Sequence, residues 1–248
     1  MRLLFTFVAF FTLSTIVAQT DSLSNKTDNQ GLKQGFWKEI VNRNTEKGYY
    51  VDGLKDGIWT TYHSNGMVLD VMTYVKGKRE GIHLALDQRG YLTVEERFVN
   101  DKLYGRSTNY AIGGRKMAEI DYKNNEVNGS KLIYYDNGKL QEQSNYLNNK
   151  RDGVTTWYNT DGKVIAENSY TNGDLNGESK TYYTSGKIAS IQTYINGVAE
   201  GPYKEFDKEG KILLEGQYIK GVREGNWTKY DENGKKTKFK YKNDEEVK

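Results

Sequence analysis

Few residues in this chain could carry acid–base, nucleophilic or metal chemistry, and those few are spread out rather than gathered. There are two histidines, His63 and His83, and no cysteine. A histidine metal site wants further ligands at matching spacing. Neither histidine has them, so both are expected on the surface or on a sheet face, and no metal or other cofactor is expected. The absence of cysteine excludes disulfides, thiolate metal sites and a lipid-anchored N-terminal cysteine. No Gly-x-Ser-x-Gly elbow and no phosphate loop occurs, and Gly113-Gly114 reads as a turn. Acids are plentiful, among them Glu95, Glu96, Glu119, Asp121, Glu142 and Glu167. A glycosidase needs two carboxylates held across one cleft. Here the acids recur at one position of a period (Glu95, Glu119, Glu167, Glu215), as a solvent-facing position would. The chain is therefore read as non-enzymatic.

Rings and lysines remain. Trp59, Tyr62, His83, Trp157, Tyr158, Trp227 and Tyr230 form the candidate binding surface. Tyrosine-rich surfaces suit protein contact, and exposed rings can also stack on sugars. Lys235, Lys236, Lys238, Lys240 and Lys242 form a candidate cationic edge. A lysine-rich terminal strand blunts edge-to-edge aggregation; the same lysines could meet anionic lipid headgroups or polymers. A formal net charge of only +3 gives no field for nucleic acid.

These residues are placed by a repeat. From Gly53 onward the chain returns to the same phrase every 24 residues, with blocks starting at 53, 77, 101, 125, 149, 173, 197 and 221. The fifth residue of every block is glycine (Gly57 to Gly225), and so is the fourteenth (Gly66 to Gly234). The tenth is aromatic in seven of eight blocks, Leu86 being the exception, and the twenty-second is aromatic in the first seven. Position 16 is apolar in six blocks, as at Val68 and Ile212. No window holds a 3.6-residue period, so helix is disfavoured. Stretches rich in β-formers alternate with turns such as Asp136-Asn137-Gly138, where Asn-Gly is a strong signal for a two-residue hairpin. The expected fold is all-β: an elongated, single-layer antiparallel meander of about 8–9 hairpins. Its 16–18 short strands would extend about 75–85 Å at ~4.8 Å each. Rings at positions 10 and 22 are expected to line one face. Apolar residues make up only 36% of the chain, too few for a deep spherical core, so summed contacts between neighbouring repeats must hold it together.

The same period divides the chain. Residues 1–18, with Arg2, an apolar run and Ala18, read as a secretory signal peptide, so the protein is expected to be exported. Residues 19–30 read as a flexible leader, and 31–52 as a degenerate opening repeat two residues short. Residues 53–244 hold eight hairpin repeats, with Tyr241 one residue early in the last, and 245–248 form a tail.

The phrase Tyr74-x-x-Gly77-Lys78-x-x-Gly81, with Gly57-x-Trp59-x-x-Tyr62-x-x-x-Gly66 and its copy from Gly225 to Gly234, resembles the MORN repeat. It is most similar to the bacterial variant and covers about residues 31–242. The resemblance implies an extended hairpin array used for protein–protein contact, oligomerisation and in some members phospholipid association; one branch includes antitoxins of toxin–antitoxin pairs. Trp at position 7 stands only at Trp59 and Trp227, with Trp37 in the opener. The reading is an exported scaffold for a protein partner. Glycan or cell-wall polymer binding, an anionic membrane surface and antitoxin-like binding of a toxin are the alternatives.

Overall fold

A computed structural model describes residues 24–247. The expected signal peptide and residues 19–23 of the expected leader lie outside the described residues. The described chain is all-β: a single antiparallel sheet of 22 strands in an open meander. The first are β1 (Lys26–Thr27), β2 (Lys33–Val41), β3 (Asn44–Val51), β4 (Leu54–Tyr62), β5 (Val68–Val75), β6 (Lys78–Leu86) and β7 (Leu92–Val99). β8 to β17 continue the alternation from Lys102 to Ile195. The last are β18 (Val198–Phe206), β19 (Ile212–Ile219), β20 (Val222–Tyr230), β21 (Lys236–Lys242) and β22 (Glu245–Val247). The count exceeds the expected 16–18 because short strands edge both ends and two outgoing strands are interrupted near Tyr104 and Asp152.

Two turn types alternate along the edges. Repeats join through two-residue turns with both central residues at positive φ, as at Asn124 (56°) and Asn125 (71°). That is the primed geometry whose twist matches the strands. Within each repeat the turn is longer. Tyr135 N donates to Lys139 O and Gly138 N to Tyr135 O, both at 2.8 Å, and only Gly138 has positive φ. The Asn137-Gly138 pair thus does not form the expected two-residue turn; the primed turns lie at the opposite edge.

Each regular repeat also carries two bulges. The glycine at position 5 sits at positive φ (Gly57 73°, Gly177 109°, Gly201 86°) where the pairing slips by two residues against the preceding strand. A side chain there would strain the backbone. The second bulge comes after the long turn: Thr61 pairs with Asp70, but Tyr62 pairs with Val68, leaving Leu69 extra. This second bulge overturns the expectation that rings 10 and 22 share a face. Tyr74 pairs with Gly57 and lies on the face of Trp59, whereas Tyr62 lies beside Lys47 on the other. Position 16 pairs with position 10, not with the side of position 22, because the extra residue flips the alternation between them.

The ends are irregular for the same reason. The opener closes β2 to β3 with a primed turn at Asn42-Arg43 and no bulge, so it needs two residues fewer. The last hairpin lacks only the second bulge, so Tyr241 arrives one residue early yet still pairs with the position-5 glycine, Gly225. Residues 25–28 of the expected flexible leader are ordered. β1 pairs with β2, and Asn25 bonds both the N–H and the carbonyl of Lys38 through its side chain. At the other end β21 is not the terminal strand: the expected tail forms β22, which pairs with Lys240 to Lys242.

Candidate functional site: two faces of one sheet

Trp59 and Trp227 define one face, here the ring face. Trp59 is 3% exposed and Trp227 2%, although no second layer of described residues covers them. Each lies flat on a glycine of the preceding strand. A Cβ at Gly48 or Gly216 would fall inside the indole. Neighbouring position-22 tyrosines close on them edge-on: Tyr50 to Trp59 at 4.8 Å, Tyr218 to Trp227 at 5.3 Å and Tyr241 to Trp227 at 6.0 Å. Cations at position 3 cover the rings. Lys55 lies 4.0 Å from the Trp59 ring centre and Arg223 4.2 Å from that of Tyr241, and each is also paired, to Glu46 and Asp244. Between the two tryptophan clusters the same row carries small polar residues, including Ser107, Ser144 and Thr155.

His83 stands on this face where the tryptophan would be. Its Nε2 lies 2.5 Å from Asp70 Oδ2 and its Nδ1 3.1 Å from Glu96 Oε2, joining β5, β6 and β7. Both ring nitrogens must donate to carboxylates, so the imidazolium is the bonded form. The Asp70 hydrogen bond raises the His83 pKa above its ordinary value, burial opposes the rise, and Glu96 adds to it. Ser107 donates to the other Glu96 oxygen at 3.4 Å. Among the described residues no three His, Cys, Asp or Glu side chains are placed to hold a metal ion.

The reverse face carries the tenth-position rings. Tyr110, Tyr134, Tyr182 and Tyr230 each donate a hydroxyl hydrogen bond to the position-19 glutamate of the preceding repeat: Glu95, Glu119, Glu167 and Glu215. The repeating acids, expected to face solvent freely, are thus partners in a ladder, and Glu119 is only 8% exposed. Burial first, then the glutamate, pushes the Tyr134 and Tyr182 hydroxyls up to about 12. Where position 19 is Val71 or Ile191, the following tenth residue is Leu86 or Phe206, neither of which has a hydroxyl to satisfy.

The proposed binding residues are therefore divided. Trp59, His83, Trp157 and Trp227 lie on the ring face; Tyr62, Tyr158 and Tyr230 lie on the reverse. The lysines stay together. Lys236, Lys238, Lys240 and Lys242 alternate onto the reverse face, opposite Thr237, Phe239 and Tyr241, and Lys235 sits in the turn.

The reverse face also shows a surface that the sequence pattern did not suggest. Tyr49, Val51, Leu54, Ile58, Val75 and Ile82 lie together on β3 to β6, each 47–62% exposed. The patch ends at the next repeat, where Arg106 replaces the isoleucine and forms a two-pronged ion pair with Asp121 at 2.9 and 3.2 Å. A signal was available: position 6 reads Phe36, Ile58, Ile82, then Arg106, Ser130, Val154, Glu178, Pro202, Asn226.

The chain belongs to the MORN repeat variant family, whose model matches residues 55–76, 128–148, 151–172, 175–196, 199–220 and 223–243, just over half the sequence. The matches pass over residues 77–127, which hold His83, Leu86 and the Arg106–Asp121 pair. No curated protein matches the chain. Fold and family are those of a repeat scaffold.

Proposed function

We propose that the protein is an exported, non-enzymatic scaffold that binds a partner protein through the apolar patch on the reverse face. The patch is the observation that carries this reading. Six large apolar side chains half-exposed on neighbouring strands are more than soluble surfaces usually leave to water, and such patches mark protein contact. Among the described residues, exposed apolar side chains at the same positions of later repeats come in smaller groups, Leu147 with Val154 and Ile195 with Val198 and Ile219, so the first three repeats hold the most extended patch of this face. Export rests on the signal-like residues 1–18. Stacking on glycans through Trp59 and Trp227 is disfavoured because their rings are already packed on Gly48 and Gly216.

The full chain, tagged and expressed in its own cells, should retain a partner whose apolar surface covers the patch. Replacing Ile58→Lys together with Ile82→Lys should abolish retention, whereas Gln217→Lys together with Asn226→Lys, on the same face near the other end at the positions that match Tyr49 and Ile58, should not. Equal retention by both variants would overturn the assignment of the patch.

A further inference from the structure

The two tryptophan clusters on the ring face are built on the same frame but differ in one respect. Around Trp59 every charge is paired: Lys55 with Glu46 at 2.7 Å, and Glu39 with both Lys33 at 2.6 Å and the Tyr50 hydroxyl at 2.7 Å. Around Trp227 the equivalent of Glu46 is Leu214, and Arg223 turns to Asp244 at 2.9 Å. Two charges are thereby left over. Glu205 and Lys229 flank Leu214 in one cross-strand row, Glu205 pairing with Leu214 and Leu214 with Lys229. Neither makes an ion pair with any described residue, and the one hydrogen bond to Glu205 is a 3.5 Å contact from the Tyr203 hydroxyl. The two charges border a cavity of about 450 Å³ whose walls include Trp227, Phe239 and Tyr241. The indole N–H of Trp227 is buried without an acceptor among the described residues, whereas that of Trp59 donates to Tyr49 O at 3.0 Å.

From this geometry we infer that the cavity is a binding site for a small zwitterion with an apolar or aromatic body, that is, a hydrophobic amino acid or a dipeptide. The rings take the body, Lys229 takes the carboxylate and Glu205 takes the ammonium group. The volume is in the range of small-molecule sites, and besides its rings and leucines the lining holds Glu205 and Lys229, which fix orientation, and Arg223, which Asp244 already engages. Around Trp59 the corresponding Glu39 is paired with Lys33, and Thr61 stands where Lys229 stands, so that cluster lacks the two free charges. The site lies at β18 to β21, well along the sheet from the patch on β3 to β6, and does not depend on the protein contact proposed there.

The chain has four tryptophans, so their indole N–H resonances form a small set, and Trp227→Phe identifies the one that matters. Titration of the full chain with L-phenylalanine should move the Trp227 resonance and leave that of Trp59 in place. N-acetyl-L-phenylalanine lacks the ammonium group and L-phenylalaninamide lacks the carboxylate; each should bind roughly tenfold more weakly. Lys229→Met and Glu205→Gln should produce the same losses, with an unchanged Trp59 resonance showing that the sheet is intact. Phenylalanyl-phenylalanine binding more tightly than phenylalanine would assign the site to dipeptides, and the reverse order to single amino acids. No movement of Trp227 at millimolar phenylalanine, or equal binding of all three phenylalanine probes, would overturn the inference.

Discussion

Glu167 and Tyr182 show how single residues are chosen in this sheet. Their hydrogen bond, 2.5 Å long, ties adjacent repeats on the reverse face. Removing one partner leaves a half-buried polar group unsatisfied. Glu167→Val should therefore cost about 1–2 kcal/mol in urea unfolding, and adding Tyr182→Leu, which copies the native Val71 and Leu86 combination, should recover most of it. The hydroxyl of Tyr182, held at about 12, should titrate nearer the ordinary tyrosine value in the single variant. His83 gives a dependence on pH. Asp70, Glu96 and Ser107 bond it or its carboxylates, and Met72 and Phe98 pack beside it. Because its folded pKa lies above the ordinary value, its contribution is complete below about pH 6.5. It is lost as pH rises through the raised folded value. Stability of the native chain should fall across that window relative to His83→Gln, whose profile should lack this step. The acids and the lone histidines were visible in the sequence as positions in a period. Their partners were not, because a partner one repeat back on a given face depends on register.

At the scale of the hairpin, the 24-residue period marks turns and strands well but not the faces. Counting by twos from Tyr74 back to Val68 assigns both to one side, and the extra residue Leu69 breaks that count. A bulge of this kind adds a residue without an apolar or polar signature, so alternation alone does not reveal it. The same bulge bears on the two irregular ends: its absence accounts for the early Tyr241 and, together with the tighter turn at Asn42-Arg43, for the shortened opener. Glycines test the packing directly. Gly66 has positive φ and open space around it, so Gly66→Ala meets only backbone strain, about 1 kcal/mol. Gly48 has an ordinary φ but lies under Trp59, so Gly48→Ala must displace the indole. It should lower stability by about 1–3 kcal/mol, and pairing it with Trp59→Thr should lose less than the two changes separately. Denaturation midpoints of the four proteins decide this.

For the whole molecule, each strand touches chiefly its neighbours, and stability is a sum over interfaces. Deleting residues 173–196, one full period, should leave a folded sheet with the same far-UV spectrum and a smaller denaturant slope. Deleting 173–195 should not, because a one-residue slip turns every later side chain to the wrong face. The array as a whole was legible in the sequence, since nine glycine- and tyrosine-marked copies state it repeatedly. The exposed apolar patch was not, because it is spread over positions 2, 6, 21 and 23 and becomes a patch only once four strands, β3 to β6, are set side by side. Partner binding stands or falls with that patch. A photoreactive phenylalanine analogue placed at Ile58, and separately at Asn226 as the matched position of the last repeat, tests it in the producing cell. One discrete protein adduct should form from Ile58 and none from Asn226. The same adducts from both positions, or none from Ile58, would contradict a docking role for the reverse face.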